Sequence, residues 1–182
     1  DFCLSRGLGD VYKRQKKARA LIKESGIKPE DYTIRQLSFP YGSTWDRLGE
    51  YTKQALEQLG FKVNLESTDA GGWASRTGNW DFDMTTTFTY QYGDPALGVQ
   101  RLYITSNIVK GSPFANVQGY SNPETDKQWE AAASEVDPAK RQELYTKLQT
   151  TLVNEVANGF LVDMEFPTLY RCLLYTSPSP RD

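Results

Sequence analysis

Asp81 and Asp83 alternate with Phe82 and Met84, so an extended segment would point both carboxylates to one face about 7 Å apart. Two facing carboxylates suit glycoside hydrolysis, provided one holds a raised pKa. Asp163 and Glu165 repeat the spacing. The exposed face of a half-buried strand explains both pairs better. A second group is aromatic. Phe88 leads into Tyr90-Gln91-Tyr92-Gly93-Asp94-Pro95. Ring faces of Phe88, Tyr90 and Tyr92 suit sugar rings and side chains alike, and Gln91 adds a polar contact. Trp73, beside Gly71-Gly72, is a further candidate to reach a ligand. Asp94, before a proline, is expected to cap a turn.

Other chemistry is excluded by what is missing. The 182 residues contain no histidine, which rules out His-based triads and His-ligated metals. The two cysteines, Cys3 and Cys172, cannot build a zinc site alone. Gly7-Leu8-Gly9 follows no strand and is not a phosphate loop. No metal and no cofactor are expected. A formal charge of −2 offers no basic surface for nucleic acid. No run approaches the roughly 20 apolar residues of a membrane helix. With 38% apolar and 13% aromatic residues the chain can still bury a core.

The two ends stand apart from the middle. Neither 1–15 nor 172–182 shows a period of 2 or 3.6. Asp10 to Gln15 can be encoded GAT GTG TAT AAG AGA CAG. The reverse complement, read one base out of phase, encodes Cys172 to Ser177. Such a relation points to a transposon-end adapter read through at both sides, with 16–171 as the natural protein. Both cysteines vanish with these ends, which fits an oxidising compartment. A signal peptide would lie outside this fragment.

Between the ends, the pattern predicts an α/β unit. A helix runs from Lys16 to Ser25 and stops at Gly26. Tyr32 to Phe39 reads as a strand. Ser43 caps the next helix, with Asp46 as its capping-box acid and Gly60 as its stop. Phe61, Val63 and Leu65 alternate in a second strand. Strand, helix and strand with short links form a βαβ unit, which favours a parallel sheet. Asp69 to Thr77 is a helix. Trp80, Phe82 and Met84 alternate in a third strand that runs into Thr85-Thr86-Thr87-Phe88. The aromatic loop then leaves the carboxyl end of the sheet, where open α/β folds bind ligands. Asn122-Pro123 and Asp137-Pro138 each open a helix. The second carries Leu144, Leu148, Leu152 and Val156 and stops at Asn158-Gly159. A last strand is expected over Phe160, Val162 and Met164. Trp45 and Trp129 fall at helical spacing and are expected to pack.

The segments ARALIKESGI, QALEQLGFKVNLE, DFDM, YGDP, GYSNPETDKQWEAA and DPAKRQELYTKLQTTLVNE follow in this order. Together they resemble the C-terminal lobe of a bacterial extracellular solute-binding protein of the peptide/nickel class, family 5, which serves ABC importers. The resemblance covers 16–171. It implies a periplasmic-binding-protein-like lobe, with a largely parallel sheet flanked by helices, from an incomplete two-lobe protein. It also implies a binding role without catalysis, a small polar solute as ligand, and the permease subunits of the importer as partners. A monomer located in the periplasm or outside the cell is expected. In peptide binders of this family, an aspartate three residues before that of the Asp-Pro pair holds the peptide ammonium. Counting back from Asp94 gives Gln91, a neutral amide that cannot form that charge-assisted bond. Phe88 would take the place of the wall aromatic. A neutral or polyhydroxylated ligand, or a peptide held differently, is then as plausible as a peptide held by its ammonium. The rival expectation is a carboxylate-dependent glycoside hydrolase built on Asp81 and Asp83.

Overall fold

The computed structural model describes residues 2–90 and 92–161, with the backbone alone over 2–13. Among the described residues the α-helices and strands follow in order: α1 (Phe2–Ser25), β1 (Thr33–Leu37), α2 (Ser43–Glu57), β2 (Lys62–Glu66), α3 (Ala70–Gly78), β3 (Met84–Thr85), α4 (Pro95–Gly98), α5 (Pro123–Ser134) and α6 (Pro138–Asn154). The sheet is wholly parallel, in the order β2-β1-β3, so the βαβ unit forms as its short links require.

Alternation along β1 feeds both faces of the sheet. Gln36 and Ser38 turn toward α2, where Gly49 lets the helix come close. A Cβ there would lie 3.2 Å from Ser38 Oγ and 3.5 Å from Leu65 Cδ1. The buried Gln36 amide donates to Gly49 O (2.9 Å) and Thr52 Oγ1 (2.6 Å). Leu37 and Phe39 point the other way and pack with Trp45 and Trp73. A second core joins Leu102, Tyr103, Trp129, Leu148 and Leu152. It lies under α5 and α6, which are linked by 135–137 and pack on each other. Asn122 and Asp137 cap these helices through their side chains, and a proline follows each cap.

Several expectations are corrected. Helix α1 extends back to Phe2, because no proline interrupts it and most of its residues propagate a helix once started. Gly7 and Gly9 lie within it. Helix α2 is capped by Gly42, and Ser43 is its first helical residue with no side-chain cap. Gly42 has φ 95°, a value that favours glycine. The third strand is only Met84–Thr85. Trp80 instead closes α3 in the left-handed region, at φ 61°. Its N–H donates to Thr77 O (3.1 Å) and that of Asp81 to Arg76 O (2.9 Å), which satisfies the last carbonyls of α3. Helix α6 ends at Asn154, short of Asn158-Gly159, by the same device. Val156 has φ 53°, and the Ala157 N–H reaches Leu152 O (3.2 Å). Val156 is therefore exposed, while Leu148 and Leu152 are buried as their spacing predicts. Phe160 and Leu161 form no strand, and the rest of that expected strand, with Asp163 and Glu165, lies outside the described residues. Among the described residues, no helix is long and apolar enough to cross a membrane.

Candidate functional site

All three strands end on the same edge of the sheet because they run parallel. The chain leaves β1 through Phe39-Pro40-Tyr41 and leaves β3 through Thr86 to Tyr90. These exits bring aromatic side chains together. Phe39 stacks on Tyr41 at 4.5 Å between ring centroids. It meets Trp45 at 4.8 Å, Trp73 at 4.9 Å and Phe88 at 5.5 Å, all edge to face. Phe88 continues to Tyr90 at 4.9 Å, and Tyr90 to Tyr92 at 5.8 Å. On the other side Trp73 meets Phe114 at 5.7 Å. Each well-oriented aromatic pair adds about 0.5–1.5 kcal/mol beyond burial, so the cluster is stiff at its centre.

The expected site residues divide by accessibility. Tyr90 and Tyr92 are exposed and Phe88 is half-buried, so the three form an open aromatic wall. Trp73 does not reach the surface: it is 2% exposed. It packs on Leu37 and Phe39, and its Nε1–H donates to Thr85 Oγ1 (3.0 Å). That hydroxyl in turn donates to Leu37 O (2.9 Å). Trp73 thus supports the wall from beneath. Gln91 lies outside the described residues. Asp94 caps a turn as its place before proline predicts, accepting the Ala96 N–H at 2.8 Å.

Tyr41 and Phe114 escaped the sequence reading although both are exposed beside the cluster. Phe39-Pro40-Tyr41 could have been found as the exit of a central parallel strand; Phe114, in an irregular stretch, carries no such signal. Gly98 was also missed. A Cβ there would lie 2.1 Å from the Tyr90 carbonyl oxygen and 3.3 Å from Tyr92 Cδ2. Only glycine lets α4 sit against the loop in this way.

The aspartate pair is not hydrolytic machinery. Arg35 Nη1 binds Asp81 Oδ1 at 2.6 Å, and Arg35 Nη2 binds Asp83 Oδ1 at 3.2 Å. The Arg35 backbone N–H also donates to Asp83 Oδ2 (2.8 Å). Arg76 joins from α3, binding Asp81 Oδ2 at 3.1 Å and Glu66 Oε2 at 2.6 Å. The Arg35 guanidinium holds both aspartates below the usual carboxylate range. A general acid needs the opposite shift. These charges tie β1, β2 and α3 together on the surface. Among the described residues, no group of three or more carboxylates, cysteines or histidines could hold a metal.

Comparison with known proteins bears on the family and the fold. Residues 7–110 match the family model described as bacterial extracellular solute-binding proteins, family 5 Middle. The match begins inside 1–15. The glutathione-binding protein of Pectobacterium atrosepticum is 28% identical, over 73% of this chain and 26% of the relative. The corresponding protein of Escherichia coli K12 is 26% identical, over 76% of this chain and 28% of its own length. The chain therefore spans about a quarter of the curated relatives it matches. Among solved structures, the ABC transporter substrate-binding protein CtaP of Listeria monocytogenes superposes with a TM-score of 0.69 at 24% identity, over 79% of this chain and 28% of that one. HbpA2 of Haemophilus parasuis gives 0.70 at 21% identity, over 78% and 28%. Both structures show the periplasmic-binding-protein fold for this chain. With more than half of its residues matched by the family model, the chain belongs to the family 5 bacterial extracellular solute-binding proteins.

Proposed function

We propose that this chain supplies one ligand-facing part of the solute-binding component of an ABC importer. That component captures a peptide or another small polar solute by lobe closure and delivers it to the membrane permease. Family 5 proteins are transport binding proteins, not enzymes, and are periplasmic or extracellular. The observation that carries the proposal is the open aromatic wall of Phe88, Tyr90 and Tyr92 at the carboxyl edge of a parallel sheet. Ligands of open α/β sheets bind at that edge. Phenol rings present apolar faces and a hydroxyl, which suits peptide side chains and sugar rings without demanding a charge. Relatives point the same way: one is named for glutathione, and the ABC transporter-associated periplasmic binding protein DppA from Helicobacter pylori was solved in complex with the peptide STSA.

Closure requires that ligand contact the closed state better than the open one. Small-angle scattering of the full-length parent protein, with and without peptide pools, tests this. A fall in radius of gyration on peptide addition supports the proposal. No compaction with peptides, glutathione or a nutrient extract overturns it. The 182-residue chain alone should bind weakly, because it carries only part of the cleft, and micromolar affinity in calorimetry would contradict that expectation.

A further inference from the structure

The aromatic wall does not hold itself in place. Tyr90 rests by its carbonyl against Gly98, and Tyr92 lies against the same residue. Gly98 closes α4, whose first turn is fixed by Asp94. Asp94 is in turn gripped from a distant element. Arg141 of α6 forms an ion pair with Asp94 Oδ2, and the Tyr145 hydroxyl donates to Asp94 Oδ1 at 3.3 Å. The Arg141 guanidinium also lies 5.7 Å from the Tyr145 ring centroid. Tyr145 packs edge to face on Trp129, 5.9 Å away in the second core. One continuous path therefore runs from the helical core through Arg141 and Asp94 to the exposed tyrosines.

We propose that Arg141 is a positioning residue for solute capture, holding Tyr90 and Tyr92 through Asp94; this rests on those two rings being part of the solute-binding wall. Arg141 itself sits behind the loop and need not touch solute. Asp94 spends its two oxygens on three donors: the Ala96 N–H, the Tyr145 hydroxyl and the Arg141 guanidinium. Without Arg141 the carboxylate keeps its cap and the Tyr145 hydroxyl but loses the charged part of its anchor to α6. The loop then moves relative to Phe88, and the ring faces no longer present one surface. Arg141 and Asp94 are both about a third exposed or less, so salt screens the contact partially.

The test compares wild type with Arg141→Ala, Arg141→Lys and Tyr145→Phe. Hydrogen exchange of the Ala96, Leu97 and Val99 amides in the 182-residue chain reads the loop anchor directly, because all three are hydrogen-bonded within it. The Ser38 amide, bonded to Glu66 O, is the internal reference for the sheet. Arg141→Ala should speed loop exchange about tenfold, with the reference unchanged. Arg141→Lys should restore part of the protection, since a point charge replaces a fork. Raising sodium chloride to about 1 M should speed loop exchange in wild type but not in Arg141→Ala. That salt difference assigns the anchor to the Arg141–Asp94 charge pair rather than to side-chain packing. The second arm is binding of an equimolar tetrapeptide library to the full-length parent, where Arg141→Ala should weaken affinity about tenfold, mostly through faster dissociation. Unchanged loop exchange overturns the proposal at its anchor. Faster exchange with unchanged peptide affinity overturns it by removing the loop from the binding site, and so separates that failure from the first.

Discussion

Replacing Gly98 with alanine should push the aromatic loop off its seat. The new Cβ would stand 2.1 Å from the Tyr90 carbonyl oxygen. The obstacle is backbone, which has no rotamer to swing aside. Ordinary van der Waals contact begins near 3.4 Å, so the loop and α4 must separate by about 1.3 Å. Tyr92 Cδ2, at 3.3 Å, closes the easy sideways route. Overpacking of this kind destabilises by about 1–3 kcal/mol. For a chain of this size that is about 2–4 °C in Tm per kcal/mol. The displacement must also break the edge-to-face contact of Phe88 with Tyr90 or the Asp94 cap. Calorimetry of Gly98→Ala gives the stability change. Fluorine NMR on protein labelled with 3-fluorotyrosine, assigned through Tyr90→Phe and Tyr92→Phe, reports the loop. We expect both resonances to shift while those of Tyr103 and Tyr120, in the second core, stay in place. An unchanged Tm together with unshifted Tyr90 and Tyr92 resonances would refute the close approach and the reasoning built on it.

Two further predictions concern stability. Val156 holds a left-handed conformation that strains a β-branched residue by about 1–2 kcal/mol, so Val156→Gly should raise Tm by a few degrees even after the added freedom of the unfolded chain; a lowered Tm would contradict this. The Arg35 side chain depresses the pKa of Asp83, so this group stabilises the fold above the unfolded carboxylate value near 4 and stops doing so as pH falls through its lower folded value. Asp83→Asn should therefore lower stability at pH 7 by no more than about 1 kcal/mol, since the pair is largely exposed, and the gap should close as pH falls through the depressed folded value of Asp83. A gap that does not narrow as the protein is acidified would mean that something other than charge is lost.

The βαβ unit was legible because its signals are local and mutually consistent. Gly60 stands at φ 99° where the helix stop was expected, and Val63 and Leu65 alternate in β2 as read. Asn122, Asp137 and Asp94 cap as their positions before proline predict, because a cap needs only a side chain within two or three residues of its N–H partner. The ends of elements were less legible. Period-2 alternation from Trp80 to Met84 suggested a long strand, but closing α3 satisfies its terminal carbonyls at once, and this outweighed the pattern.

The candidate site divides along the same line. The sequence by itself determined that the chain has no histidine, that aromatic residues crowd one loop, and that this loop follows a strand of a parallel sheet. Only the tertiary structure decided which rings face out. Trp73 and Tyr90 look alike in sequence, yet one is pinned beneath Phe39 by a hydrogen bond to Thr85 and the other is open. It also decided how Arg35 holds Asp81 and Asp83 and how Arg141 anchors the Asp94 cap, because these pairs lie more than forty residues apart in the chain. A carboxylate's role follows from the charge that meets it, and no spacing along the chain encodes a contact made across the fold.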